Sequence, residues 1–155
     1  MIRIGLHEPR IPQNTGNIGR TCLAFNSKLD LILPLGFSLD DKYLKRAGLD
    51  YWKYLQYNVH EDFSSYKSSL GSSRLIGFSK EGGIPIKKME FLQNDCLLFG
   101  REDIGLPSWI KSQCNIISTI TMPGILSNNN PNGVRSLNLS VACGIAIYSA
   151  SNINK

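Results

Sequence analysis

Short runs of β-forming residues alternate with amphipathic helical segments along almost the whole 155-residue chain, and this alternation restricts the fold more than any other feature. The runs are IRIGL at 2–6, LDLILP at 29–34, RLIGFS at 74–79, CLLFG at 96–100 and IISTITM at 116–122, each bounded by turn residues. Between them the pattern predicts helices over about 15–27, 40–47, 61–70, 106–113 and 137–150. In the first, Ile18, Cys22 and Phe25 recur at i, i+4 and i+7 and face a core, with Thr15 or Asn14 as the cap and Asn17 and Arg20 elsewhere around the helix. Strands separated by helices imply an α/β fold, a mainly parallel sheet flanked by helices on both sides. No repeat, low-complexity tract or linker divides the chain, so residues 1–155 read as a single domain, long enough to bury about 70% of the surface of the unfolded chain.

In such a sheet ligands bind in the crevice beyond the carboxyl ends of the strands. Three loops in that position are unusual: QNTGNIGR at 13–20, GREDIGLP at 100–107 and PGILSNNNPNGVRSLNLS at 123–140. Each combines glycines, which admit a close-lying ligand, with amide or charged side chains. No GxGxxG follows a strand and no GxxxxGK[ST] occurs, which argues against a dinucleotide fold or a P-loop. Ser136 has no nucleophile signature around it, so a hydrolase triad is disfavoured. The four cysteines lack CxxC spacing and sit beside apolar residues, as reduced core thiols do, and two histidines are too few for a His-based metal cluster. No segment approaches the 18 or so apolar residues of a membrane span, and the first residues do not form a signal peptide, so a cytoplasmic protein is expected. The formal charge of +5 suits a polyanionic partner. Lys42, Lys45 and Arg46, on a helix opened by Asp40 or Asp41, share one face and are candidate RNA contacts or an ordinary solvated face.

At the three loops the sequence closely resembles the SPOUT superfamily of methyltransferases, in its 2'-O-ribose branch. The first motif, an Asn followed six residues later by Arg, is matched by Asn14 and Arg20 in NTGNIGR. The second resembles LLFGREDIGLP, with Gly100, Glu102, Gly105, Leu106 and Pro107. The third resembles RSLNLSVACGIAIY, with Ser136, Leu137, Asn138, Leu139 and Ser140. HEPRIPQNTGNIGRTC and LGFSLDDKYLKRAGLDYW extend the similarity to the short subfamily that methylates the wobble nucleotide of tRNA.

The resemblance implies a SPOUT-type α/β knot, in which the C-terminal segment threads a loop as a trefoil knot; elementary topology rules alone would favour an unknotted sheet. It implies S-adenosyl-L-methionine as cofactor, S-adenosyl-L-homocysteine as product, tRNA as substrate and a homodimer, with no metal and no membrane. Cofactor contacts are then expected from Phe78, Gly100, Glu102, Gly105, Met122, Ser136, Leu137 and Leu139. Catalytic positions are Arg20, Asn14, Glu102, Ser136, Asn138 and Tyr148. Arg20 would activate the ribose 2'-hydroxyl; because a guanidinium normally stays protonated, its part is to hold a substrate phosphate and stabilise developing alkoxide rather than to act as a simple base. Asn14 would orient Arg20 or cap its helix, and Glu102 would pair with an Arg or contact substrate. Tyr148 would lie near a dimer face or the site. The loop PGILSNNNPNGVR is several residues longer than its subfamily counterpart. Methylation of ribosomal RNA or of another tRNA position, and a non-catalytic RNA-binding factor that keeps the fold, remain as alternatives.

Overall fold

The inner strands are apolar on both faces, which only a sheet covered on both sides can satisfy. The computed structural model describes residues 1–40 and 42–151, with residues 45 and 48–50 described by backbone alone. The strands are β1 (Arg3–His7), β2 (Lys28–Ile32), β3 (Tyr57–His60), β4 (Leu75–Phe78), β5 (Ile84–Pro85), β6 (Cys96–Phe99) and β7 (Ile116–Thr119), with helices α1 (Pro12–Ala24), α2 (Lys42–Gly48), α3 (Phe63–Ser68), α4 (Ser108–Lys111) and α5 (Leu139–Ser151). Short 3-10 helices cover Leu49–Tyr54 and Ile86–Lys88. The seven strands form one sheet in the order β3-β2-β1-β6-β4-β7-β5, and every pairing is parallel.

Strand alternation divides the core into two layers. Ile4, Leu6, Leu97 and Phe99 point with Ile76 and Phe78 toward Ile18, Cys22, Cys143 and Ile147 of α1 and α5. Leu98, Cys96, Leu75 and Ile32 point the other way, onto Phe63 and Tyr66 of α3 and Ile110 of α4. All four cysteines are free, and burial pushes their thiols up, to about 12 for Cys22 and about 11 for Cys96 and Cys114. No described helix is long and apolar enough to cross a membrane.

Two strands escape the sequence pattern, for different reasons. In β3 the apolar residues Tyr57 and Val59 are exposed, while the alternate positions supply polar groups to a buried carboxylate. Asp30 of β2 is fully buried and accepts hydrogen bonds from Arg3 Nε and Nη2, both 2.8 Å, and from Asn58 Nδ2 at 2.9 Å; His60 Nε2 lies 2.8 Å from it. Burial alone would push the Asp30 carboxyl up; the bonds from Arg3, His60 and Asn58 outweigh it and hold the group below the usual carboxylate range. The strand β5 has only two residues, too few for a periodicity.

Element boundaries shift by a few residues, most instructively in α1. It begins at Pro12, not at 15, and Ile11 is the N-cap with no side-chain cap bond. Neither Thr15 nor Asn14 caps it: Pro12 presets the first helical φ, and both residues lie inside the helix, buried. Ile18 and Cys22 face the core, but Phe25 lies just past the helix end, 39% exposed, because α1 stops one turn earlier than the periodicity implied. The helix α2 starts at Lys42; Asp41, one of its expected openers, falls outside the described residues.

Candidate active site

The stretch 13–20 is no loop but lies wholly within α1. The other two unusual loops converge beyond the carboxyl ends of β4, β6 and β7. They enclose a cavity of about 570 Å³, within the range of roughly 300–1,000 Å³ typical of small-molecule sites. Phe78 and Phe99, stacked at 4.7 Å between centroids, form an apolar wall at the ends of β4 and β6. Residues 100–106 form the opposite rim, and Ile120, Met122 and residues 135–137 close it with Leu139 and Ala142 of α5.

The loop after β6 is held in a tight reversal. Gly105 N–H donates to the Arg101 carbonyl at 2.9 Å, and Gly105 has φ of 68°, a left-handed conformation that glycine adopts without strain. A Cβ at Gly100 would overlap the Gly105 backbone and the Leu106 nitrogen, so only glycine lets the two ends of the loop meet. Arg101 grips Asp103 through two bonds of 2.9 and 2.7 Å. Those bonds hold the Asp103 carboxyl below its ordinary range.

Glu102 turns away from this pair toward the start of α1. Its carboxylate accepts the backbone N–H groups of Arg10 (2.8 Å) and Ile11 (3.0 Å) and the Asn14 amide N–H (3.4 Å). Asn14 Oδ1 in turn accepts from Asn138 Nδ2 at 3.0 Å. The other end of the Asn138 amide accepts from Ser140 N (2.8 Å) and Oγ (2.7 Å) at the first turn of α5, the geometry of a helix N-cap. One relay, Glu102–Asn14–Asn138, therefore fastens the two loops to α1.

All eight residues expected to contact the cofactor, Phe78, Gly100, Glu102, Gly105, Met122, Ser136, Leu137 and Leu139, line this cavity. The expected catalytic set divides. Glu102 and Ser136 line the cavity, while Asn14 and Asn138 stand behind it in the relay. Asn14 neither orients Arg20 nor caps α1. Glu102 pairs with the Arg10 backbone and not with a guanidinium, because two preceding N–H groups converge on it. Arg20 and Tyr148 do not line the cavity. Arg20 lies on the exposed face of α1 with its guanidinium 5.4 Å from the Tyr51 ring centroid. Tyr148 is exposed on α5, edge-on to Phe25 at 6.3 Å. Lys42 and Arg46 are exposed on α2; the Lys45 side chain lies outside the described residues. Sequence reasoning missed the cations Lys80, Lys111 and Arg135 on the cavity rim, of which Arg135, next to Ser136 in the third motif, was within reach of it. Among the described residues no group of three or more His, Cys, Asp or Glu side chains could hold a metal ion.

This arrangement matches known proteins along nearly its full length. A relative from Methylovorus glucosotrophus named tRNA (cytidine(34)-2'-O)-methyltransferase is 39% identical over 150 residues, covering 97% of this chain and 94% of its own. The protein of the same name from Escherichia coli (strain K12) is 35% identical over 150 residues, covering 97% and 92%. A solved structure described as giving insights into the 2-OH methylation of C/U34 on tRNA superposes with a TM-score of 0.90 at 40% identity, over 99% of this chain and 95% of that one. The model of the SpoU rRNA methylase family matches residues 1–148, and with that span and those identities the chain belongs to this family.

Proposed function

We propose that this protein is an S-adenosyl-L-methionine-dependent methyltransferase acting on the ribose 2'-hydroxyl of the wobble nucleotide, position 34, of tRNA, with S-adenosyl-L-homocysteine as the other product. The observation that carries this reading is the meeting of the second and third motif loops on one cavity, tied through Asn14 to the first motif, in a chain whose relatives named for that reaction align with it nearly end to end.

The cavity suits the cofactor in size and in chemistry. Phe78 and Phe99 offer apolar surface to a flat ring, and Gly105, with open space where a side chain would stand, lets a ligand approach the main chain closely. Gly100, Gly105, Met122, Leu137 and Leu139 would hold adenine and ribose, with Ser136 at the mouth. When bound, S-adenosyl-L-methionine supplies a methyl group on a sulfonium, open to in-line displacement by an oxygen. Positioning therefore matters more than covalent chemistry. Glu102, with its carboxylate committed to α1, sets the loop and is not free to act as a base. Asn14 and Asn138 keep the third motif against it. Arg20 holds a substrate phosphate and stabilises charge developing on the 2'-oxygen, whose proton passes to that phosphate or to water.

Arg20 lies outside the cavity of its own protomer, which favours an assembly that brings a second copy to the α1–α5 surface. Val141, Ile145 and Tyr148 form an exposed apolar stripe at i, i+4 and i+7 along α5, continued by Phe25. Burial of such a stripe drives association, and a homodimer over it sets Arg20 at the protomer boundary. Lys42, Lys45 and Arg46 then add to a positive field that meets tRNA phosphates. The segment ahead of α5 forms the trefoil knot, and the enzyme works in the cytoplasm.

The family description, which names ribosomal RNA, favours rRNA as a second substrate reading. Incubation of the purified protein with labelled S-adenosyl-L-methionine and either total tRNA or ribosomal RNA separates the two. Label entering tRNA supports the reading, and label entering only ribosomal RNA refutes it.

A further inference from the structure

The surface between α2 and β3 is rich in exposed tyrosines that the methyl-transfer site does not use. Tyr43, Tyr51, Tyr54 and Tyr57 are 42%, 43%, 64% and 37% exposed. Three of them carry a cation over the ring: Lys42 Nζ is 5.1 Å from the Tyr43 centroid, the Arg20 guanidinium 5.4 Å from that of Tyr51, and Lys53 Nζ 5.0 Å from that of Tyr54.

The local geometry explains why these rings face outward. In a 3-10 helix residues i and i+3 eclipse one another. Within and just after Leu49–Tyr54 this puts Trp52 and Leu55 on one side and Tyr51 and Tyr54 on the other. The inward pair anchors the turn: Leu55 is buried, and the Trp52 ring lies so close to α1 that a Cβ on Gly19 would come within 2.7 Å of it. Tyr57 packs on the other part of Trp52 at 5.2 Å. The outward pair is thus held on a fixed base, with Tyr51 against Arg20 of α1. Asn14 and Arg20 are six residues apart, a rise of about 9 Å along α1, so the tyrosine surface stands close to the relay behind the cavity.

We propose that Tyr51 and Tyr54, with Arg20, Lys42 and Lys53 between and around them, form a stacking platform for unpaired bases of an RNA loop. The proposal rests on the RNA-methyltransferase reading and names the part of the substrate that this face receives. Single-stranded RNA presents two features at once, flat bases and phosphates, and a face that interleaves exposed aromatic rings with cations matches both. A duplex keeps its bases stacked inside and offers only phosphates. The surface therefore selects loop over stem, as an enzyme that modifies one nucleotide of a loop requires.

Equilibrium binding by fluorescence anisotropy tests this, with the full chain, an end-labelled tRNA anticodon stem-loop and a blunt duplex of the same stem. Replacing the exposed Tyr54 leaves the anchor residues untouched, so the fold is retained, and a thermal melt checks that it is. Tyr54→Ala is expected to weaken stem-loop binding about tenfold, the loss of one stacked base, with Tyr54→Phe within about twofold of wild type and duplex binding unchanged. Equal stem-loop affinity in Tyr54→Ala overturns the proposal, as does an equal loss for the duplex, and so does a change of oligomeric state without a change in RNA affinity, which would assign the face to a second copy. The outcome is separable from the fate of the methyl-transfer reading. If wild type methylates tRNA and Tyr54→Ala does so with unchanged KM, the platform fails alone; if wild type methylates no RNA but the selective loss of loop binding is seen, the platform stands and the reaction does not.

Discussion

Substitution of Asn14 tests whether the amide relay holds the site together, and the structure lets two variants be ranked. Asn14 is 5% exposed, donates to Glu102 at 3.4 Å and accepts from Asn138 at 3.0 Å. Asn14→Ala removes both bonds; Glu102 Oε1 keeps the Ile11 N–H and the exposed Asn138 amide turns to water, so the cost is that of two hydrogen bonds, about 2 kcal/mol. Asn14→Asp keeps the shape and the bond from Asn138, but it sets a carboxylate against that of Glu102. Two such charges at ~4 Å repel by about 4 kcal/mol at an effective dielectric constant of about 20. For a chain of this length each kcal/mol lowers Tm by about 2–4 °C. The expected losses at pH 7 are therefore about 4–8 °C for Asn14→Ala and about 8–16 °C for Asn14→Asp. The like charge raises the folded-state pKa of the introduced carboxyl, so its penalty is complete above that pKa and is relieved as pH falls and one proton is shared. Thermal melts of both variants from pH 7 down to about pH 5 should show the Asp variant regaining ground on the Ala variant. Titration calorimetry at pH 7 should show S-adenosyl-L-methionine binding at least about tenfold weaker in both, because the loop at 100–107 loses its Asn14 tie to α1. Wild-type stability of Asn14→Asp at pH 7, or unaltered cofactor affinity in both variants, would refute the relay.

Arg20→Ala should abolish methyl transfer while leaving calorimetric affinity for S-adenosyl-L-methionine within about twofold, since the side chain does not line the cavity; retained activity removes Arg20 from the mechanism. Gly100→Ala should eliminate cofactor binding, because the added methyl overlaps the Gly105 backbone, and a titration with normal heat would disprove the need for that close approach. Asp30→Ala strips the buried partner from Arg3 and should cost about 3–5 kcal/mol in urea denaturation with no direct effect on the cavity. Because the Asp30 carboxyl is held below its ordinary value, its contribution in wild type is complete above about pH 4 and is lost as pH falls below that, so the wild-type minus variant difference should shrink in acid denaturation; a constant difference contradicts the ion cluster.

Much of this was legible in the sequence where residue type and spacing determine structure locally. The apolar runs around Leu6, Leu31, Ile76 and Leu98 marked inner strands because both faces are buried, and the glycines of the second and third motifs marked the two loops that gather at the cavity, whereas the first motif proved to be part of α1. What escaped depends on distant partners. The start of α1 is set by Pro12 and by Glu102, about 90 residues further on, so local capping rules misassigned Asn14 and Thr15. The strand β3 was hidden because the residues it turns inward, Asn58 and His60, serve a buried charge on β2, which inverts the usual alternation. Glu102 was recognisable as a motif residue, but its role was not, since its ligands are main-chain N–H groups that every sequence contains.

Mapping the methyl group itself tests the central claim most directly. The purified protein, incubated with S-adenosyl-L-methionine and tRNA lacking the modification, should yield after nuclease digestion and mass spectrometry one fragment heavier by a methyl group, with that group on the ribose of nucleotide 34. A methyl group on a base, or on the ribose of any other nucleotide, would contradict the assignment of this site to the wobble 2'-hydroxyl.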